Sequence, residues 1–285
     1  MFFRSLSAVL LSVASVWGAD GKVLRVCADP NNLPFSNQHE QGFENRIVAL
    51  LASDMGVDLR YTWWPERKSL VEDTLGADRC DVLPGAPAGL DGVTLTQPYY
   101  TSTYVFVSRP DITPAVTSLN DSQLANLRIG IHIVGDDYAP PARALARRGI
   151  VANLHGYSLF GTYGEANPPE RLIKAVATGD VDVAIVWGPF AGYFGPREKR
   201  PLKISPVLPP SDMGVPFTYS ISMAVKQGNS DLRDRLNAAL RNSCAAVGKI
   251  LDEFGVPRPA SQSGTSLSGG PSCEPSTVSP YSSLR

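Results

Sequence analysis

The chain has 285 residues, of which 43% are hydrophobic and 19% charged, with a formal net charge of −1. That balance fits one or two globular domains with apolar cores. The 26 lysines and arginines are scattered, so no basic face of the kind a nucleic-acid binder needs emerges, and His39, His132 and His155 lack metal-ligand spacing.

The first residues, MFFRSLSAVLLSVASVWGAD, place Arg4 before an apolar run from Leu6 to Val16 and then small residues ahead of Ala19. This predicts a secretory signal peptide at residues 1–18, cleaved after Gly18. The run is too short to span a bilayer. Cys27 follows LRV rather than small residues, which argues against a lipid anchor. Export leaves Cys27, Cys80, Cys244 and Cys273. An even count in an exported chain predicts two disulfides, with three possible connectivities.

KVLRVCA, ahead of the loop DPNNLPFSN, has the pattern of a strand. From Gly42 to Gly56, apolar Ile47, Leu50, Leu51 and Met55 predict a helix ending at a glycine. VDLRYTWW has period two, ERKSLVEDTLGA predicts a short helix, and CDVLPGA a buried strand. This β-α-β-α-β order predicts a parallel sheet covered by helices. PYYTSTYVFVSRP is one long extended run, after which a second α/β set begins. There SLNDSQLANL, DDYAPPARALARRG and NPPERLIKAVATGD are expected as helices, and RIGIHI and VDVAIVW as strands. FTYSISMAV is a second extended run, followed by one long amphipathic helix ending at Gly255. The Ser/Gly/Pro-rich tail reads as irregular.

Two α/β lobes joined by two crossings form a specific pattern. VCADPNNLPFSN, YTWWPER, RCDVLPGAPAG and the run TQPYYTSTYVFV, in this element order, resemble periplasmic solute-binding proteins of the amino-acid-binding type, bacterial extracellular family three. Within it they resemble the quinoprotein-dehydrogenase-associated branch, the MoxJ/XoxJ-like group of methanol-oxidation systems. The resemblance covers roughly residues 22–256. It implies a two-lobed α/β fold of the type II periplasmic-binding-protein class with two hinge strands. Lobe one would comprise residues 20–108 plus 218–256, lobe two residues 109–217, and the tail residues 257–285. It also implies a periplasmic location and partnership with a PQQ-dependent alcohol dehydrogenase and its cytochrome c. In the sheet order it implies, Cys27 and Cys80 lie on neighbouring strands and are expected to pair, which leaves Cys244 with Cys273.

Amino-acid-binding members grip their ligand by charge: an arginine after the third strand, helix N-terminal amides in lobe two, and an acid at the end of a lobe-two strand. Here CDVLPG runs into APAGLDGV without arginine. Asp136 and Asp137 are expected to open a lobe-two helix, where carboxylates cap the helix and repel a bound carboxylate. VDVAIVWGPF puts Trp187 where the acid is needed. Strand ends instead supply Asn32, Phe35, Trp63, Trp64, Gly85, Ala86, Tyr99, Tyr100 and Trp187, with Asp136 beside them. The expected cleft is aromatic and nearly uncharged, suited to an apolar or polypeptide occupant. Strand alternation allows only one of Trp63 and Trp64 into it unless the strand has ended.

Of the candidate acid–base groups, Glu66, Arg67, Asp91, Asp136 and Asp137, those at helix starts are explained as caps. With no nucleophile triad, phosphate loop or metal cluster in the sequence, the expectation is a binding protein without cofactor. Two functions remain: an accessory protein of the dehydrogenase, or a receptor passing an uncharged or aromatic solute to an ABC permease.

Overall fold

The computed structural model describes residues 22–65, 69–134, 137–160 and 167–259. The expected signal peptide, Asp136 and Cys273 lie outside these.

Lobe one begins with β1 (Val23–Ala28) and a two-rung hairpin, β2 (Asn31–Asn32) against β3 (Ser36–Asn37). In α1 (Phe43–Asp54), Phe43, Ile47, Val48, Leu51 and Ala52 form the buried stripe that a period of 3.6 puts on one face. β4 (Asp58–Trp63) pairs parallel with β1, from Val23 opposite Asp58 to Ala28 opposite Trp63. A π-helical turn, Glu72–Gly76, stands within the stretch ERKSLVEDTLGA, expected as a short helix. β5 (Val82–Pro87) pairs with β1 at Val26 and Val82, and β6 (Val93–Leu95) follows. Cys27 and Cys80 are joined, Cα atoms 5.6 Å apart, as the sheet order demands.

β7 (Tyr100–Ser108) is the first crossing strand. Its inner half, Tyr100–Thr103, pairs antiparallel with residues 218–221 of the second crossing, β15 (Thr218–Lys226). Lobe two holds β8 (Ile129–Val134), β9 (Asp137–Tyr138), α2 (Pro141–Arg147), β10 (Leu154–Ser158), α3 (Glu170–Thr178), β11 (Val183–Trp187) and α4 (Gly188–Phe194). β12 (Lys203–Pro206) and the small hairpin β13 (Ser211–Asp212) with β14 (Val215–Pro216) complete it. The main sheet runs β10-β8-β11-β7-β15-β5-β1-β4, with β9 on β8, β12 on β7 and β6 on β15. Because the outer half of β7 pairs with β11, we propose that the first crossing starts near Thr103, a few residues before Arg109.

Three expected helices differ. SLNDSQLANL forms only a 3-10 turn, Ser122–Ala125. The last helix is two, α5 (Ser230–Asn242) and α6 (Cys244–Glu253), broken at Ser243 with φ −97° and ψ 7°. The helix expected to open at Asp136 and Asp137 instead starts at Pro141. Asp137 and Tyr138 fold back onto Val134 and Ile133 as a hairpin. The reason lies in the prolines: Pro140 disfavours helical backbone at Ala139 before it, and Pro140 and Pro141 themselves fit a helix's first turn.

Candidate functional site

The loop after β1 is built to present Phe35. Asp29 Oδ1 accepts from the Asn31 amide at 2.7 Å, and Ser36 Oγ donates to the Asp29 carbonyl at 2.8 Å. The Pro34 and Phe35 carbonyls then accept the first amides of α1, from Phe43 at 2.8 Å and Glu44 at 3.0 Å, satisfying donors a helix start otherwise leaves open. Gly42 makes that junction possible: a Cβ there would lie 1.9 Å from the Phe35 carbonyl oxygen.

Between the lobes lies a cavity of about 440 Å³, within the range of small-molecule and side-chain pockets. Seven of the residues expected in the cleft line it: Asn32, Phe35, Trp64, Gly85, Ala86, Tyr100 and Trp187. Trp187 ends β11 with its ring 5.4 Å from Tyr104 and 5.8 Å from Tyr219, both also in the wall. Leu90 lines it as well. Burial pushes the Tyr104 hydroxyl well above its ordinary range, so it stays protonated.

Trp63 and Tyr99 lie outside the wall. Trp63 is the last strand residue and stacks on Tyr61, two positions back on the same face, at 4.5 Å and 11°. Trp64, past the strand end, turns into the cavity and also carries the Arg79 guanidinium 4.7 Å from its ring centre. Tyr99 is fully buried behind the wall. Its hydroxyl donates to Glu44 Oε1 at 2.7 Å and accepts the Gly85 amide at 3.1 Å. Burial first, then the Glu44 charge, raises it far above the usual phenol range. Asp136 falls outside the described residues.

The expectation of a nearly uncharged wall needs correction, because Asp29 and Glu44 line the cavity. Glu44 sits in the first turn of α1, where an acid is the default, so its second role had no separate sequence signal. Among the described lining residues there is no lysine or arginine. His132 also lines the cavity, 3% exposed and edge-on to Phe190 at 5.3 Å. Burial lowers its pKa to about 4, so it is neutral near pH 7. Among the described residues no group of three metal-ligating side chains is gathered, and no helix is long and apolar enough to cross a membrane. The arrangement offers rings, backbone and two hydrogen-bonded carboxylates, a surface for binding.

No family model matches the chain. Protein MoxJ of Paracoccus denitrificans is 30% identical over 266 residues, covering 88% of this chain and 94% of MoxJ. The crystal structure of periplasmic binding protein XoxJ from Methylobacterium extorquens AM1 superposes with a TM-score of 0.69 at 33% identity, covering 84% of this chain and all of XoxJ. That of MxaJ from Methlophaga aminisulfidivorans MPT does so at 0.70 and 25%, covering 82% and 99%. With the two-lobed type II fold, the crossing strands and this extent of identity, the chain belongs to the MoxJ/XoxJ-like family of periplasmic binding proteins.

Proposed function

We propose that the protein is a periplasmic accessory protein of a PQQ-dependent, methanol-type alcohol dehydrogenase. It would assist the enzyme's maturation or activation by protein–protein binding through the interlobe cavity, with the enzyme's cytochrome c as a further partner. The observation that carries this reading is Trp187. It stands at the end of β11 against Tyr104 and Tyr219, where an amino-acid receptor needs a carboxylate for the ligand's ammonium. Leu90 in place of the carboxylate-gripping arginine points the same way. An aromatic pocket of this kind suits an apolar side chain of a protein partner, since aromatics dominate interface energetics. The signal-like N-terminus and the Cys27–Cys80 bridge fit an oxidising compartment outside the cytoplasm. On this reading the protein binds and does not catalyse.

The test is capture from periplasmic extract. The tagged protein should retain the dehydrogenase, and Trp187→Ala should weaken capture at least tenfold while the fold persists. If deletion of the gene leaves dehydrogenase assembly and activity intact but abolishes uptake of one solute, the reading fails. The second reading, a receptor passing an uncharged or aromatic solute to an ABC permease, draws on the size of the cavity. It requires a ligand that raises thermal stability at saturation.

A further inference from the structure

The lobes are tied to each other by their own residues at two places. The first is the loop of β2 and β3. Leu33, a lobe-one residue, is buried in one apolar cluster with Val105, Leu172 and Phe190 of the second-lobe sheet and helices. Two positions on, Phe35 stands between Phe43 of lobe one and Phe190 of lobe two, with ring centres 5.1 and 5.2 Å away. Beside it, the Asn167 amide donates to Asn31 Oδ1 across the lobes at 3.3 Å.

The second place is the meeting of α4 with the end of α6. Gly192 and Gly255 let two backbones touch: a Cβ on Gly192 would sit 1.8 Å from the Gly255 carbonyl oxygen. Tyr193 stacks on Phe254 at 5.5 Å and 14°. Close by, Ser102 Oγ on the crossing strand donates to the Pro257 carbonyl at 2.6 Å. Hinged opening of a binding protein separates residues of facing lobes and exposes them to water. Here separation at the loop would pull Leu33 out of a packed core and part Phe35 from Phe190, a loss of buried apolar surface.

We propose that this double clasp, rather than a bound molecule, sets the distance between the lobes, so that the cavity is preformed and its occupant enters as a protruding group without hinge closure. The clasp is independent of which partner the cavity serves. To test it, spin labels are attached at Arg60→Cys in lobe one and Arg143→Cys in lobe two, both exposed positions, on the otherwise intact mature chain. Pulsed dipolar spectroscopy of the free protein should give one narrow distance distribution at the separation seen in the structure. Leu33→Ser combined with Phe35→Ala should add a second, longer population, and so should Gly192→Val. Two populations in the unaltered clasp, or folded clasp variants with an unchanged distribution, would overturn the proposal. If neither variant folds, the free protein's distribution decides: one narrow peak at the structural distance supports the clasp, and two peaks or a longer one defeat it.

Discussion

The two lobes have the same β-α-β build but are fastened by different chemistry. In lobe one the Cys27–Cys80 bond joins β1 to the approach of β5. Beside it the Arg25 amide and guanidinium bind Asp81 at 2.9 and 2.5 Å. Lobe two has no cysteine; all four lie outside residues 109–217. Its corners rest on aspartates that each hold two arginines. Asp182 takes Arg128 at 2.7 Å and Arg109 at 3.2 Å, and Asp212 takes Arg147 and Arg148, both at 2.8 Å. It also buries the neutral His132. A covalent bridge restrains the unfolded chain at any pH. A carboxylate anchor works only while ionised, and a buried neutral histidine only while unprotonated. The comparison therefore predicts a lobe one sensitive to reduction and a lobe two sensitive to acid.

The largest expected effect breaks the lobe-one side. Cys27 and Cys80 are 53 positions apart, and opening a loop of that length costs about 4 kcal/mol in the chain-entropy picture. Cys27→Ser with Cys80→Ser should lower the urea midpoint accordingly, with the same loss at pH 7 and pH 5. A loss that grows in acid would mean the two lobes share one fastening. Next comes His132. Its ordinary pKa is about 6.5, and burial, partly offset by a bond toward the Pro169 carbonyl, lowers it to about 4 in the fold. Between those values the unfolded chain holds a proton that the folded chain lacks. Stability is thus lost as pH falls from about 6.5 to about 4, by about 3 kcal/mol in all. Urea unfolding across that range should show the slope, and His132→Gln should flatten it; a variant that keeps the full slope assigns the acid sensitivity elsewhere.

The strands and most helices of both lobes were legible in the sequence, and several helix boundaries were not, for physical reasons. The alternation in KVLRVCA and VDLRYTWW and the helical spacing after Gly42 report burial on one face directly. In lobe two, Pro189 reads as the end of a strand, yet proline near a helix start is also preferred, and Gly188–Phe194 is α4. Asp136 and Asp137, which read as a helix cap, put the start of α2 too early. The site divides likewise. Trp187 and Phe35 stood out as rings on or beside loops, though Trp63 at the end of β4 shows that such a ring can equally pack on its own strand. Glu44 stayed hidden because an acid in a first turn is expected anyway, and the Gly192–Gly255 contact joins residues whose proximity only the assembled lobes create.

The smaller effects sharpen the comparison within the ion pairs themselves. The Asp182 carboxyl is held down to about 2, chiefly by its hydrogen bond from Arg128, against about 3.9 in an unfolded chain. A depressed carboxylate pKa gives stability that is complete above about pH 4 and lost as pH falls toward 2. Arg109 beside it is 13% exposed at its side chain and also donates to the Val176 and Val181 carbonyls at 2.9 and 2.8 Å. Asp182→Asn at pH 7 therefore weakens charge-assisted bonds to a buried guanidinium, worth about 2 kcal/mol, and should remove its own share of the sensitivity below pH 4, leaving that of Asp212, which Arg148 and Arg147 hold down likewise. The exposed pair in lobe one, Lys226 with Asp78 at 2.7 Å and side chains 52% and 68% accessible, is the counterexample. Its partners are hydrated and screened by salt, so Lys226→Ala should leave the urea midpoint unmoved. A measurable drop there would show that ion pairs hold both lobes alike, and that the contrast between them is one of number rather than of kind.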